Sequence, residues 1–239
     1  MNTIKIDRNH TRVIAHRGLS GIEPENTNLA FVAAGNRSYF GVETDIHCTA
    51  DGNFILTHDD STKRVAGENL IVEETDFSKL RALRLFDKDG THTRTDIHMP
   101  SLEEYIRICK KYEKECVLEL KNEMTEENVR CIIDRIDAEE YLEHVIFISF
   151  SFKNLVYVRN YKPTQTVQYL FSKMSEGLID RISAYGFDVD VYHKVLNEDL
   201  IKAFHNAGIF VNCWTVDDPA EAERLITCGV DFITTNILE

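Results

Sequence analysis

Eight short apolar segments, separated by stretches long enough for a helix, constrain the fold of this chain more than any other feature. They lie at 13–16, 41–45, 116–121, 144–149, 166–170, 187–190, 209–215 and 231–234. Strands that alternate with helices favour parallel pairing, and eight such units in 239 residues match the length of a (β/α)8 barrel. We therefore predict an α/β fold of the TIM-barrel type, with a doubly wound open sheet as the alternative.

Helix-capping patterns support this alternation. Ser101 is followed three residues later by Glu104, which is the spacing of a capping box. The stretches 197–208 and 218–229 each begin with Asn or Asp and end with Gly, as helices commonly do. In both cases an apolar strand follows at once, so each stretch predicts one helix and one strand of the barrel.

One strand-like segment, 54–57, breaks the alternation because it follows 46–49 after only four residues. A parallel crossover needs a dozen or more residues, so this segment is predicted to turn back as a hairpin. Asp51 and Gly52 suit a two-residue type I′ turn, and in that register Asp45 faces His58. The hairpin would extend the second strand beyond the rim of the barrel.

The polar stretch 60–99 has one helical piece, 76–85. A segment of that length inside a compact fold is usually functional or disordered, and we interpret it as a cap over the barrel mouth. Since no linker or internal repeat divides the chain, residues 1–239 are predicted to form a single domain, in which 46–99 is a hairpin and cap insertion.

The net charge limits which partners the chain can bind, and the cysteines indicate the cellular compartment. A formal net charge of −13 repels nucleic-acid backbones and anionic membranes, so we expect a small-molecule substrate and no stable membrane association. Residues 1–11 lack the apolar stretch of a signal peptide, and no run has the length of a membrane span. The six cysteines are scattered without a CxxC pair, which favours free thiols in the cytoplasm.

Three acidic residues lie at the ends of apolar segments. Glu43 and Asp45 are two residues apart and share one face of a strand, and Glu119 ends another strand. Each alone is best explained as a solvated acid or as a partner of Lys121 or Arg17. Together, at the mouth where barrel enzymes keep their active sites, they predict an oxygen-only site for one hard divalent cation, Mg²⁺ or Ca²⁺.

His16 and His58 differ from the other histidines because each ends an apolar segment and precedes an ionic group. Two imidazoles can divide the work of general acid and general base. Arg17 and Lys121 supply the cations that an anionic substrate needs in an acidic protein. A cation, a metal and two histidines around one cavity fit metal-assisted cleavage of a phosphodiester.

An ordered series of short motifs resembles the glycerophosphodiester phosphodiesterase family. The motifs, over nearly the whole chain, are His16-Arg17-Gly18, Pro24-Glu25-Asn26-Thr27, Glu43-Thr44-Asp45, Thr49-Ala50-Asp51-Gly52, His58-Asp59, Pro100-Ser101-Leu102-Glu103-Glu104, Glu119-Leu120-Lys121, Ser149-Phe150 and Trp214-Thr215-Val216. The chain departs from the family at Thr234-Thr235-Asn236, where relatives often carry an acidic residue and a proline.

The resemblance implies a role for each matched position. It implies a (β/α)8 barrel with the strand-2 hairpin as an insertion. The implied roles are a divalent cation on Glu43, Asp45 and Glu119, acid and base roles for His16 and His58, phosphate binding by Arg17 and Lys121, and contact of Trp214 with the glycerol or the leaving alcohol. Without the resemblance, Trp214 would be read as packing in a strand, and Glu25 either supports the site or belongs to the helix start that Asn26 or Thr27 caps.

The predicted activity is metal-dependent hydrolysis of a glycerophosphodiester to glycerol 3-phosphate and an alcohol. One alternative is a cyclising or lysophospholipase D-like enzyme of the same superfamily, similar to the phospholipase D toxins. Those relatives are secreted and disulfide-bonded. A second alternative is a barrel that binds phosphorylated ligands without turnover, which would be favoured if His16 or His58 pointed away from the cavity.

Overall fold

The computed structural model describes residues 2–239 and contains a sheet of nine strands. The strands are β1 (Arg12–Ala15), β2 (Gly41–Cys48), β3 (Phe54–Leu56), β4 (Glu115–Leu120), β5 (Val145–Ser149), β6 (Val167–Phe171), β7 (Asp188–Tyr192), β8 (Val211–Trp214) and β9 (Phe232–Thr235). All except β3 pair in parallel, and β1 pairs with both β2 and β9. The sheet therefore closes into the predicted (β/α)8 barrel, and the open-sheet alternative is wrong.

Helices follow the strands and surround the barrel. They are α1 (Asn28–Gly35), α2 (Lys63–Ala66), α3 (Phe77–Ala82), α4 (Leu102–Lys111), α5 (Glu126–Ala138), α6 (Phe152–Tyr161), α7 (Leu178–Tyr185), α8 (Glu198–Asn206) and α9 (Pro219–Thr227), with 3₁₀ turns at Val72–Glu74, Leu142–His144 and His193–Val195. The predicted capping box on α4 is confirmed, since the Ser101 hydroxyl accepts from the Glu104 amide and the Glu104 carboxylate accepts from the Ser101 amide. Asn197 and Asp218 cap α8 and α9 as predicted.

Apolar side chains fill both sides of the barrel wall. The larger cluster lies between the strands and the helices, and a smaller one, which includes Ile14, Val117, Ile148, Leu170 and Phe232, fills the interior. Each fully buried aliphatic side chain contributes about 1.5–3 kcal/mol. This packing gives the carboxyl ends of the strands a firm frame, and those ends carry the residues that the sequence singled out.

The hairpin forms, but its predicted register is wrong by one residue. β3 pairs antiparallel to β2, with Ile46 opposite Leu56, so the Asp45 carbonyl accepts from the amide of Thr57 and not of His58. A type I′ turn requires positive φ at both central residues, whereas Gly52 (φ +72°) has positive φ and Asp51 does not. Thr49 and Asn53 instead close a three-residue loop, which shifts the pairing.

The rest of the insertion, residues 46–99, is ordered around an apolar cluster of its own. Its buried members are Ile55, Ala66, Val72, Leu80, Leu85, Ile97 and Met99. The predicted helix 76–85 is shorter than expected and ends at Ala82, after which the chain runs extended. Within residues 2–239, no helix combines the length and the apolar character needed to cross a membrane.

Candidate active site

The three acids lie together at the carboxyl ends of two neighbouring strands. Asp45 on β2 and Glu119 on β4 are direct Cα partners, and Glu43 lies two residues below Asp45 on the same face. Their carboxylate oxygens are within 4.8 Å of one another, and all three residues are buried. The predicted convergence of these side chains therefore follows from the parallel register of β2 and β4.

Burial and mutual repulsion set the protonation of the acids. Burial, with the charges of Asp45 and Glu119, raises the pKa of Glu43 well above its ordinary value. Burial and Asp45 raise the pKa of Glu119 to about 7. Burial acts on Asp45 as well, but Arg17 and Lys121 hold its pKa below the ordinary value. The raised pKa values of Glu43 and Glu119 thus reflect burial and repulsion among three acids that only two protein cations face, and an added cation would relieve that repulsion.

Arg17 and Lys121 both pair with the acids. Lys121 Nζ lies 2.8 Å from Glu119 Oε1 and 3.5 Å from Asp45 Oδ1. Arg17 Nε lies 3.6 Å from Asp45 Oδ2, and the Arg17 amide donates to Glu43 Oε2 at 2.8 Å. Both predicted phosphate-binding cations therefore border the acidic cluster.

The turn after β1 explains the glycine that follows Arg17. Arg17 and Gly18 both have positive φ, +53° and +73°. A Cβ on Gly18 would lie 2.6 Å from the backbone carbonyl carbon of Ala30 in α1, so a larger residue would push the turn away from the helix. Glycine here lets the Arg17 amide reach Glu43.

His16 is held by a residue that the sequence reasoning left unassigned. Its Nδ1 lies 2.8 Å from Asn236 Oδ1. The Asn236 amide nitrogen donates to Asp217 at 2.6 Å, which orients the amide so that its oxygen faces His16. Nδ1 of His16 then carries the proton, and Nε2, 4.0 Å from Glu43 Oε2, is the free nitrogen. Burial and Arg17 lower the pKa of His16 to about 4.

His58 is held in the same way by an acid. Its Nδ1 lies 2.8 Å from Asp59 Oδ1, so Nδ1 donates and Nε2 is free. Burial lowers the pKa of His58 below its ordinary value. The two predicted histidines thus carry the same arrangement, an anchored Nδ1 and an available Nε2.

Arg64 of the insertion joins the two sides of the mouth. Its guanidinium donates to Glu25 at 2.8 and 2.9 Å and to Asp59 at 2.6 and 3.1 Å. Glu25 accepts in turn from Arg17 at 2.9 Å. The Arg64 hydrogen bond is the main reason that the pKa of Asp59 falls to about 2. Arg64 therefore connects the partner of His58 with the partner of Arg17.

A cavity of about 110 Å³ connects these groups. It is lined by His16, Arg17 and His58 on one side and by Phe150, Asp190 and Trp214 on the other. Trp214 meets Phe150 edge to face at 5.7 Å, so the predicted tryptophan is part of the cavity wall. Both histidines line this cavity, which removes the feature that would have favoured a binding barrel without turnover.

Several residues of the site were missed or left open by the sequence. Asn26 donates to Asp45 Oδ2 at 2.8 Å, and Thr27 alone caps α1. Asn236 contacts His16, 220 positions away, and Arg64 contacts Glu25, 39 positions away, so no local pattern marks either residue. Asp190 does carry a signal, because it is an acid in an apolar barrel strand.

Comparisons with known proteins point to one family over nearly the whole chain. The model of the Glycerophosphoryl diester phosphodiesterase family matches residues 16–239. A glycerophosphodiester phosphodiesterase of Caldanaerobacter subterraneus is 28% identical over 237 residues, which cover 95% of this chain and 94% of the relative. One of Bacillus subtilis is 28% identical over 242 residues, which cover 93% of this chain and 82% of the relative.

Solved structures give the same fold. A glycerophosphodiester phosphodiesterase of Parabacteroides distasonis is 29% identical and superposes with a TM-score of 0.81 over 96% of this chain and 94% of its own. An Oleispira antarctica phosphodiesterase, solved in complex with the product sn-glycerol-3-phosphate, is 24% identical with a TM-score of 0.83 over 94% of this chain and 92% of its own. At 24% identity, the likeness to the Oleispira antarctica structure shows the fold alone.

Proposed function

Because this chain belongs to the glycerophosphoryl diester phosphodiesterase family and is a glycerophosphodiester phosphodiesterase, we propose that it hydrolyses its substrate to glycerol 3-phosphate and an alcohol with the help of one divalent cation. The observation that carries the proposal is the convergence of three buried carboxylates within 4.8 Å, two of which, Glu43 and Glu119, line one cavity together with both histidines.

Glu43, Asp45 and Glu119 fit a hard cation. The donor set consists only of oxygens, which suits Mg²⁺ or Ca²⁺ and disfavours zinc. Asp45 Oδ1 is buried without a hydrogen-bond partner, and Lys121 Nζ lies 3.5 Å away, which leaves this oxygen available as a ligand. When bound, the cation would offset negative charge on the phosphoryl oxygens.

His16 and His58 are the proposed acid–base pair. In each ring the anchored Nδ1 leaves Nε2 free toward the cavity, so one imidazole accepts a proton from the attacking nucleophile and the other donates a proton to the leaving oxygen. Asn236 and Asp59 orient the two rings. Burial lowers the pKa of both rings, which favours the neutral form that can accept a proton at Nε2.

Arg17, Lys121 and Trp214 complete the proposed site. Arg17 offers a planar fork to the phosphate and Lys121 a point charge beside it. Both are already placed by pairing with the acids, so they need little ordering when the substrate enters. Trp214 supplies an apolar wall for the carbon atoms of the glycerol or the leaving alcohol.

The test is release of glycerol 3-phosphate from glycerophosphocholine, glycerophosphoethanolamine and glycerophosphoglycerol, assayed with Mg²⁺, with Ca²⁺ and in excess chelator. We expect product from at least one substrate with metal and none in chelator. Glu119→Gln is the matched inactive control, since it keeps the side-chain shape and removes the charge. Product at the full rate in excess chelator would contradict the proposed metal.

A further inference from the structure

Asp190 is a buried acid that lines the cavity, and it has no role in the proposed reaction. It lies on β7 between Leu170 of β6 and Asn212 of β8, its direct Cα partners. Leu170 belongs to the apolar cluster inside the barrel, so the Asp190 side chain also faces inward. Only 1% of the residue is exposed, and within the described residues its Oδ1 has no hydrogen-bond partner.

The polar groups around Asp190 are already engaged elsewhere. The Asn212 amide donates to Gln168 at 3.1 Å and accepts from the Thr234 hydroxyl at 3.2 Å. The indole N–H of Trp214 donates to the backbone carbonyl of Asp190 at 3.3 Å, not to its carboxyl. The barrel therefore supplies hydrogen bonds among its other polar side chains and leaves this carboxyl open.

An unpartnered buried carboxyl is costly unless a bound group satisfies it. Asp190 lines the same cavity as His16 and His58, so a ligand seated there can reach it. Ile148, Leu170 and Trp214 supply apolar surface to the same lining, which also includes Glu119, Thr215 and Thr234. A few polar groups in an apolar lining are the usual means of orienting a small ligand.

We propose that Asp190 contacts the ligand and binds a hydroxyl group of the glycerol portion of the phosphodiester. This inference rests on the function proposed above and adds a specificity-determining residue to it. Asp190 would favour glycerol phosphates over phosphates whose carbon chain lacks hydroxyl groups.

The surroundings of Asp190 favour a hydroxyl over a cationic head group. Burial, followed by the charge of Glu119, raises the pKa of Asp190 well above its ordinary value. A hydroxyl can donate to Oδ1, the oxygen that lacks a partner within the described residues. Next to Ile148, Leu170 and Trp214, a hydroxyl also loses its hydration at a lower cost than an ammonium group does.

The test measures binding of glycerol 3-phosphate and of propyl phosphate, which has the same carbon chain without hydroxyls, by calorimetry with Mg²⁺ present. One buried hydrogen bond corresponds to roughly 5- to 150-fold in affinity, and we expect the wild type to prefer glycerol 3-phosphate within that range. Asp190→Val should abolish the preference, and Asp190→Asn, neutral with a donor and an acceptor, should keep most of it. With a glycerophosphodiester substrate, Asp190→Val should raise KM more than it lowers kcat.

The variants separate ligand binding from a structural role. Asp190→Val removes an unpartnered carboxyl, so its melting temperature should equal or exceed that of the wild type. An unchanged preference in Asp190→Val would overturn the proposal, and so would equal losses in Asp190→Val and Asp190→Asn. Active wild type without any preference for glycerol 3-phosphate would overturn it while leaving the proposed function intact. An inactive wild type that binds neither phosphate would refute the proposed function itself.

Discussion

The barrel strands and the insertion both contribute to the cavity, but they do so by different means. The strands place Glu43, Asp45 and Glu119 through backbone register, with Asp45 and Glu119 as direct partners. The insertion contributes His58 at the end of its hairpin and Arg64, which pairs with Asp59 five positions away and with Glu25 across 39 positions of sequence. The comparison teaches that site residues positioned by strand register can be predicted from their spacing in the sequence. Site residues positioned by side-chain pairing between loops far apart in the sequence cannot.

The largest expected effect tests the strand-borne acids. Glu43→Gln, Asp45→Asn and Glu119→Gln each remove one charge from the buried cluster without changing its shape. Loss of one preorganised electrostatic group lowers kcat by about 10²- to 10³-fold, and we expect at least that loss in each variant. Glu115→Gln is the control. Glu115 lies on β4, the strand of Glu119, but at the opposite end of that strand, where it pairs with His144. Near wild-type kcat in any of the three variants would remove that acid from the site.

The second effect compares one histidine from each region. His16→Ala (barrel) and His58→Ala (insertion) should each lower kcat by about 10²-fold or more, as expected for a proton-transfer group. Because the two act as a unit, the double variant should lose much less than the product of the single losses. His92→Ala, which removes an exposed imidazole stacked on Phe86, is the control. A single variant that turns over like the wild type would leave its histidine with a structural role.

A smaller effect tests whether the insertion positions the site. Arg64→Gln should lower kcat about tenfold, the low end for groups that orient site residues, with little change in KM. Arg64→Lys should recover only part of this loss, since an ammonium group lacks the fork that bridges Glu25 and Asp59. Arg94→Gln is the matched control in the insertion, where Arg94 pairs with Asp96. Equal kcat in Arg64→Gln and Arg94→Gln would show that the ion pairs do not position the site.

The smallest expected effect is the pH dependence of the stability that the Arg64–Asp59 ion pair contributes. The folded-state pKa of Asp59 is about 2, below its ordinary 3.8, chiefly because of Arg64. This pair therefore stabilises the fold above about pH 4 and loses that contribution as the pH falls toward 2. For a partly exposed pair the contribution is below about 1 kcal/mol. The stability difference between wild type and Arg64→Gln, from urea unfolding, should shrink between pH 5 and pH 2.5; a difference that grows on acidification would contradict the assignment.

The residues also show how far sequence reasoning reaches. Eight strands and the convergence of Glu43, Asp45 and Glu119 follow from alternation and strand periodicity, so both could be predicted. The hairpin register could not, because it depends on φ at Asp51. The roles of Asn236 and Arg64 could not be predicted, because their partners His16 and Glu25 are 220 and 39 positions away and no local pattern links them. Asp190 could have been suspected, since a buried strand seldom holds an acid without a reason.

The most direct test of the account is titration of Mg²⁺ or Ca²⁺ into chelator-treated enzyme, with glycerol 3-phosphate release and melting temperature followed in parallel. Binding to the folded state stabilises it by ligand linkage, so we predict that activity and melting temperature rise together, with the same midpoint, in the wild type. Glu119→Gln should show neither rise at those concentrations. Full activity before any metal is added, or activation of Glu119→Gln at the wild-type midpoint, would contradict a cation held by the three buried carboxylates.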